Sequence, residues 1–381
     1  MQATLDELAA ADLIRRPVTL DSPVGPSVIV AGRSLVCLCS NDYLSLACDP
    51  AIKAAAVEAV NLWGVGAGAS RLISGSTSIH RQLEDRLAAF KGTQAAIVTS
   101  TGWMANHAAI AAIAGPEDLI LCDKLNHASI IDAARACGAR LRTYAHADVD
   151  RLAVLLARHR SRHRRCLIVT DTLFSMDGDL APLAELVPLK QRYDALLVVD
   201  EAHATGVLGE CGRGAAELAG VEQKVDVTVG TLSKALGGLG GFITGPQVLI
   251  DLVRNTSRAF IYTTALPPLL CATAIAALDI IRDQPGRRRT VLAAADRLRR
   301  QLADTGVPTG RAAAQIIPVI VGDPRPALTL SAELLSAGFL VPAIRPPTVP
   351  PGTSRVRLSI CAGHQQEDLD RLAETIAGCL K

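Results

Sequence analysis

Between residues 95 and 245, short apolar runs alternate with stretches of helical periodicity, and this rhythm limits what the chain can fold into. The runs lie at 95–99, 119–122, 141–144, 166–170, 196–199, 225–229 and 241–244. Apolar residues at helical spacing predict helices over 50–62, 77–90, 103–113, 127–137, 148–160 and 182–192. Strands that are apolar on both faces need cover on both sides. Helices placed between them supply it through right-handed crossovers. The expected class is therefore α/β, with a mostly parallel central sheet in a large domain.

The two ends of the chain break the rhythm. An amphipathic helix is predicted over 2–14, then short strands at 27–31 and 34–39. Beyond residue 265 the pattern gives helices at 267–282 and 287–304, a strand at 316–321, a helix near 327–337, a strand at 356–360 and a last helix at 365–380. This reads as a smaller α+β C-terminal domain. The expected division is 1–45 as an N-terminal helix and short strands, 46–284 as the large domain and 285–381 as the small one. The stretch RPPTVPPG at 345–352 is an extended loop, because its prolines remove N–H donors and disfavour helix.

Composition narrows the function. At 49% hydrophobic and 20% charged residues the chain is globular. A net charge of +2 and 3% aromatics give no electrostatic or stacking reason to expect nucleic acid. The basic run at 158–165 reads as a helix C-terminus with a solvated face, where cations suit the dipole, rather than a nucleic-acid or zinc site. No run reaches a membrane span, and Asp6, Glu7 and Asp12 do not fit a secretory leader, so a cytoplasmic location is expected. The ten cysteines form no C-x-x-C pair; they read as small apolar residues in a reducing compartment, with no metal expected.

Five segments, each following an apolar run, carry chemistry. Thr231-Leu-Ser-Lys234 precedes a glycine-rich stretch. A lysine at a strand end among small residues is partly desolvated, which makes its amine nucleophilic, and the glycines admit a planar ligand. Asp200 closes the run LLVV, with His203 three residues on; an acid there can pair with a protonated ring nitrogen. A strand-end acid capping a turn, or a Walker B acid, would look similar, but no G-x-x-x-x-G-K-[ST] lies upstream. Gly102 and Trp103 open a helix, whose first amides suit a phosphate, although an ordinary cap reads the same way. His127 sits at another strand-to-helix junction, where it can stack on a ring or simply cap. Ser175 lies in a polar turn that alone would pass as a loop. Together these residues offer one parallel-sheet edge an amine, an acid, histidines and phosphate donors.

The segments STGWMAN, LNHAS, FSMDGDLAPL, VVDEAHATGVLGECGRG and GTLSKALGGLGG resemble the α-oxoamine synthases, pyridoxal 5'-phosphate (PLP) enzymes of fold-type I. The likeness runs from Ser40-Asn-Asp-Tyr-Leu to the C-terminal helix. The stretch from Arg345 to Arg357 is most similar to the branch that joins L-alanine to a pimeloyl thioester, carried on CoA or an acyl carrier protein. The resemblance implies that Lys234 holds the cofactor covalently and serves as acid and base. It implies that Asp200 pairs with the ring nitrogen, that His203 and Ser175 contact the phenolic oxygen and that His127 stacks on the ring. Gly102, Trp103 and Thr231 would hold the phosphate region, and Thr264 would reach the phosphate of the partner subunit in a homodimer. Asn41 and Arg357 would bind the amino acid's carboxylate, with Arg15 and Thr348 contacting substrate. Asp171 stands where relatives commonly have glutamate, and Trp103 where phenylalanine or tyrosine is usual. Open alternatives are another α-oxoamine synthase, such as a glycine C-acetyltransferase, and a nicotinamide dehydrogenase, although Gly237-Gly-Leu-Gly240 lacks the G-x-G-x-x-G spacing. A catalytically dead binding subunit would be expected to lose the lysine that is present at 234.

Overall fold

A computed structural model describes residues 1–380. The chain begins with helix α1 (Gln2–Ala10) and strands β1 (Ser27–Val30) and β2 (Arg33–Cys37), then α2 (Pro50–Trp63) and α3 (Ser78–Lys91). The α/β core follows as β3 (Ala95–Thr99), α4 (Gly102–Ile113), β4 (Leu119–Asp123), α5 (Ala128–Ala136), β5 (Arg140–Tyr144), α6 (Val149–His159), β6 (Cys166–Asp171), α7 (Leu183–Arg192) and β7 (Leu196–Asp200). It continues with α8 (Ala215–Leu218), β8 (Val227–Thr231), β9 (Gly241–Gly245), α9 (Gln247–Thr256), α10 (Arg258–Ile261) and α11 (Pro268–Asp283). The remainder is α12 (Gly286–Asp304), β10 (Ile316–Gly322), α13 (Pro324–Ser336), β11 (Phe339–Leu340), β12 (Ala343–Ile344), β13 (Ser354–Ser359) and α14 (Gln366–Cys379).

The chain divides into two compact units. One comprises Asp49–Phe174 and Leu180–Pro285 and is built on a seven-stranded sheet of order β3-β9-β8-β7-β6-β4-β5. The ladders joining β8, β7, β6, β4 and β5 are parallel, and β9 alone runs antiparallel to its neighbours β3 and β8. Every residue of β4 and β6 is buried, as a sheet covered on both faces requires. Alternate strand residues such as Ile120, Leu167, Val169, Val198 and Ile243 pack on the apolar side chains of α4, α5, α9 and α10. Local signals set the helix boundaries. Asp148 caps α6 by accepting from the Arg151 N–H, while Leu152, Leu155 and Leu156 bury its apolar stripe. The cap contributes about 1 kcal/mol and each buried leucine about 1.5–3 kcal/mol, so packing dominates.

The other unit comprises Met1–Cys48, Ser175–Asp179 and Gly286–Lys381. It holds two three-stranded sheets, β1-β2-β11 and β10-β13-β12. Parallel pairing of β2 with β11 ties the N-terminal strands to C-terminal ones. Its core joins Leu38 to Leu298, Ile317, Phe339, Val356, Leu358 and Leu372. No helix among the described residues is long and apolar enough to cross a membrane.

Several boundaries differ from the sequence expectation. Helix α1 stops at Ala10 rather than 14, because Asp12 takes a left-handed conformation with φ 56°. The hairpin turns at Ala31 and Gly32, with φ 48° and 75°, which excludes Ala31 from β1 and starts β2 at Arg33. The strand expected at 225–229 begins at Val227, because at Asp226 the side-chain carboxylate, rather than a backbone carbonyl, accepts the Leu197 N–H, and it also takes the Lys190 ammonium. Helix α13 starts at Pro324, just after Asp323, three residues earlier than its periodicity suggested. All ten cysteines are free thiols, five of them buried.

Gly241 marks a close backbone approach at the start of α4. A Cβ on Gly241 would lie 2.4 Å from Thr101 O and 2.7 Å from the Gly102 Cα, where α4 begins against β9. Both obstacles are backbone, so relief requires α4 to move. Gly241→Ala is expected to destabilise the protein by about 1–3 kcal/mol, read as a lowered midpoint in urea unfolding.

Candidate active site

The carboxyl ends of β3, β4, β6, β7 and β8 share one edge of the sheet in the larger unit. Asp200 ends β7 and is 6% exposed. Its Oδ1 accepts the Ala202 N–H at 2.8 Å and its Oδ2 accepts Asn106 Nδ2 at 2.7 Å. Both donors are neutral, so they fix the carboxylate without cancelling its charge. Glu201, the next residue, is 1% exposed and turns away to accept the Ala215 and Ala216 N–H groups at 2.8 and 2.9 Å. Burial raises its pKa while the Lys91 charge opposes that shift. Glu201 therefore anchors the loop behind Asp200.

Lys234 lies in the loop that leaves β8. Its Nζ is 2.9 Å from His203 Nε2, and the residue is half-buried. Thr231 is held by contacts of Oγ1 with Ser233 Oγ at 2.7 Å and Gly240 O at 2.8 Å. A Cβ on Gly102 would meet Thr231 Cβ at 3.2 Å, which places the first turn of α4 directly against Thr231. Thr101 caps α4 by accepting the Met104 N–H. The positive end of the α4 dipole, at Gly102 and Trp103, thus sits beside Thr231. Ser100 Oγ donates to Thr264 O at 2.9 Å, so Thr264 also borders this helix start.

His127 caps α5. Its ring meets Trp103 edge-on with centroids 5.9 Å apart, while Trp103 stacks on His107 at the same distance. The His127 N–H donates to Asp171 Oδ2 at 2.7 Å. Asp171 is the register partner of Asp200 on the neighbouring strand; burial first, and then the Asp200 charge, push its carboxyl well above the usual range. Desolvation lowers the pKa of His127, against the charge of Asp200 and together with that of Lys234.

The donor set fits PLP. Asp200 is a buried carboxylate held only by neutral N–H donors at these contacts, and a protonated ring nitrogen would complete its charge balance. Lys234 supplies the amine, His127 a flat ring, and the start of α4 with Thr231 the donors for a phosphate.

In the smaller unit a second cluster forms on β13. Arg357 is 7% exposed, and its Nη2 lies 3.2 Å from Asn41 Oδ1 and 3.3 Å from Tyr43 Oη. Its Nη1 donates to Ser359 Oγ at 2.9 Å, and its Nε donates to Ser175 O. Arg355, two residues earlier, binds Asp177 Oδ1 at 2.6 Å and Met176 O at 3.1 Å. These two guanidinium groups hold the Ser175–Asp179 segment within this unit. Asn41, Ser175 and Arg357 are thereby brought together. Arg15 Nη2 donates to Pro346 O at 2.9 Å, and the Thr348 N–H donates to Arg345 O in the same proline-rich loop. Among the described residues no group of three His, Cys, Asp or Glu side chains is placed to hold a metal ion.

Sequence reasoning missed Asn106 and Ser129, which link these groups. Asn106 closes the quoted run STGWMAN, four residues after Gly102 on α4, and Ser129 follows His127 by two; their positions next to the quoted motifs were the available signal. Asp171 was noted only as a departure from relatives, and here it holds the His127 backbone.

A family described as aminotransferase class I and II matches residues 33–376. An 8-amino-7-oxononanoate synthase from Geobacter sulfurreducens is 47% identical over 375 residues, covering 98% of this chain and 96% of that one. A serine palmitoyltransferase structure from Sphingomonas wittichii matches with a TM-score of 0.93 at 34% identity, covering 99% of this chain and 95% of its own. A structure of SPT with PLP as its internal aldimine matches with a TM-score of 0.92 at 31% identity, with the same coverage. The chain belongs to the 8-amino-7-oxononanoate synthases, within the class I and II aminotransferase family.

Proposed function

We propose that this chain condenses L-alanine with a pimeloyl thioester, on CoA or an acyl carrier protein, to give 8-amino-7-oxononanoate, carbon dioxide and the free thiol in biotin biosynthesis. The observation that carries this reading is the Lys234 amine 2.9 Å from His203, at the sheet edge that also presents Asp200, in a chain 47% identical to 8-amino-7-oxononanoate synthase over nearly its full length. PLP, when bound, supplies an electron sink for charge developing at the amino acid's α-carbon.

The chain's own residues do the rest. Lys234 Nζ would hold the cofactor covalently and, when free, would take the alanine α-proton and return a proton. Asp200 would keep a proton on the ring nitrogen through charge pairing. His203 and Ser175 would contact the phenolic oxygen, and His127 would pack on the ring. Gly102, Trp103 and Thr231 would hold the phosphate. Arg357 and Asn41 bind the alanine carboxylate, for which a planar guanidinium offers paired donors. Arg15 and Thr348 contact substrate. The chain works in the cytoplasm as a homodimer in which Thr264 reaches the partner subunit's phosphate. Support for that surface comes from Val65, Ile73 and Tyr262, exposed by 73%, 80% and 72%, on segments joined by the Ser70–Thr264 bridge.

Mass spectrometry of the product formed from alanine and pimeloyl-CoA tests the reaction. Glycine or serine turning over faster, or another acyl-CoA being preferred, would reassign the chain within the α-oxoamine synthases. Lys234→Ala is expected to abolish turnover, by about 10³-fold or more, together with the visible band of the bound cofactor; normal turnover defeats the assignment. Arg357→Lys is expected to raise the KM for alanine about tenfold or more, with a smaller change in kcat, in steady-state assays. An unchanged KM would remove Arg357 from carboxylate binding.

A further inference from the structure

The ring of His127 and the carboxylate of Asp200 are joined by two side chains to which the reading above gives no role. Asn106 Nδ2 lies 2.7 Å from Asp200 Oδ2 and 2.9 Å from Ser129 Oγ. Ser129 Oγ in turn lies 2.8 Å from His127 Nδ1. Asn106 and Ser129 are 2% and 1% exposed, so bulk water does not compete for the contacts of Asn106, while His127 at the end of the series is exposed.

Donor and acceptor capacities give this chain a direction. An ionised carboxylate only accepts, so it faces the amide NH₂ of Asn106 and not the amide oxygen. The same nitrogen gives its second proton to Ser129 Oγ. The Ser129 hydroxyl, having accepted there, has its own proton to donate, and His127 Nδ1 is within reach. The Ser129 backbone N–H also donates to that nitrogen, at 3.3 Å. Nδ1 therefore accepts twice, and the proton of the neutral ring belongs on Nε2.

We propose that Asn106 and Ser129 are positioning residues, forming a directional relay through which ionised Asp200 holds His127 as the neutral Nε2–H tautomer. This rests on the reading of His127 and Asp200 as cofactor-facing groups. The charged groups acting on the ring are Asp200 from the end of β7 and Lys234 from the loop after β8; Asp171 accepts the His127 backbone N–H, and burial pushes its carboxyl well above the usual range, which favours its neutral form. The charges of Asp200 and Lys234 bias whether the ring is protonated, whereas the relay, together with the Ser129 backbone N–H, selects which nitrogen carries the proton. A neutral ring would also keep a second positive charge away from a cofactor whose ring nitrogen Asp200 would hold protonated.

Nitrogen-15 NMR of the histidine-labelled holoenzyme, with the His127 signals assigned through His127→Gln, reads the tautomer directly. The wild type is expected to show Nε2 protonated and Nδ1 bare. Ser129→Ala and Asn106→Leu are each expected to shift this pattern toward mixed tautomers, although Asn106 makes no hydrogen bond to the ring. Exchange of the alanine α-proton in deuterated water, without acyl donor, is expected to fall about tenfold in each variant, and the double variant to be no slower than the worse single one. A wild-type ring protonated on Nδ1, or wild-type ring signals in Asn106→Leu, overturns the relay. If Asn106→Leu does not fold, the wild type and Ser129→Ala decide. Borohydride labelling of Lys234 in the wild type separates the two layers. Labelled lysine with the wrong tautomer sinks the relay alone, whereas unlabelled lysine sinks the functional reading beneath it.

Discussion

Parallel pairing of β6 with β7 puts Asp171 and Asp200 side by side at the sheet edge, and much of the site answers to that juxtaposition. Two buried carboxylates repel each other and lose hydration, a cost of several kcal/mol for each uncompensated ion. The protein meets it with neutral donors. Asn106 and the Ala202 N–H hold Asp200, while the His127 N–H holds Asp171. At Asp171, burial and then the Asp200 charge push the carboxyl well above the usual range, which favours its protonated form. The arrangement leaves Asp200 as the group suited to a cationic partner, which a protonated pyridine nitrogen supplies.

In the smaller unit the controlling constraint is the burial of two guanidinium groups on one strand. Arg355 is 2% exposed and Arg357 is 7% exposed, and neither can remain without acceptors. Both find them in the segment after Phe174: the carbonyls of Ser175 and Met176, and the Asp177 carboxylate. That segment begins four positions past the end of β6 yet clusters with the C-terminal strands. Arg357 keeps further donors directed at Asn41 and Tyr43, a polar cluster with the chemistry to receive a carboxylate.

Much of this was legible beforehand. Short runs such as those ending at Thr99 and Asp200 read correctly as strands because burial on both faces leaves little but apolar residues between polar ends. The grouping of Lys234, His203, Asp200, His127 and Gly102 followed from their positions just after such runs, since parallel strands deliver their C-termini to one edge. Less was legible where conformation depends on a single side chain. Val225 looked like strand, yet the Asp226 carboxylate caps the Leu197 N–H and delays the ladder by two residues. The two-residue strands β11 and β12 carry no periodicity at all and exist only through their pairing with β2 and β13.

What the sequence determined by itself was the α/β class, the order of strands and helices, and the residue types at each strand end, because these depend on local periodicity and on which residues tolerate burial. What only the tertiary structure decided was which polar atoms meet. Asn106 and Ser129 are ordinary helix residues in one dimension, and they become a bridge only because α4 and α5 pack against each other and Asn106 reaches Asp200 at the end of β7. Likewise, Ser175 joins Arg357 across 182 positions of sequence, since a buried guanidinium takes its acceptor from whatever backbone the fold brings within 3 Å.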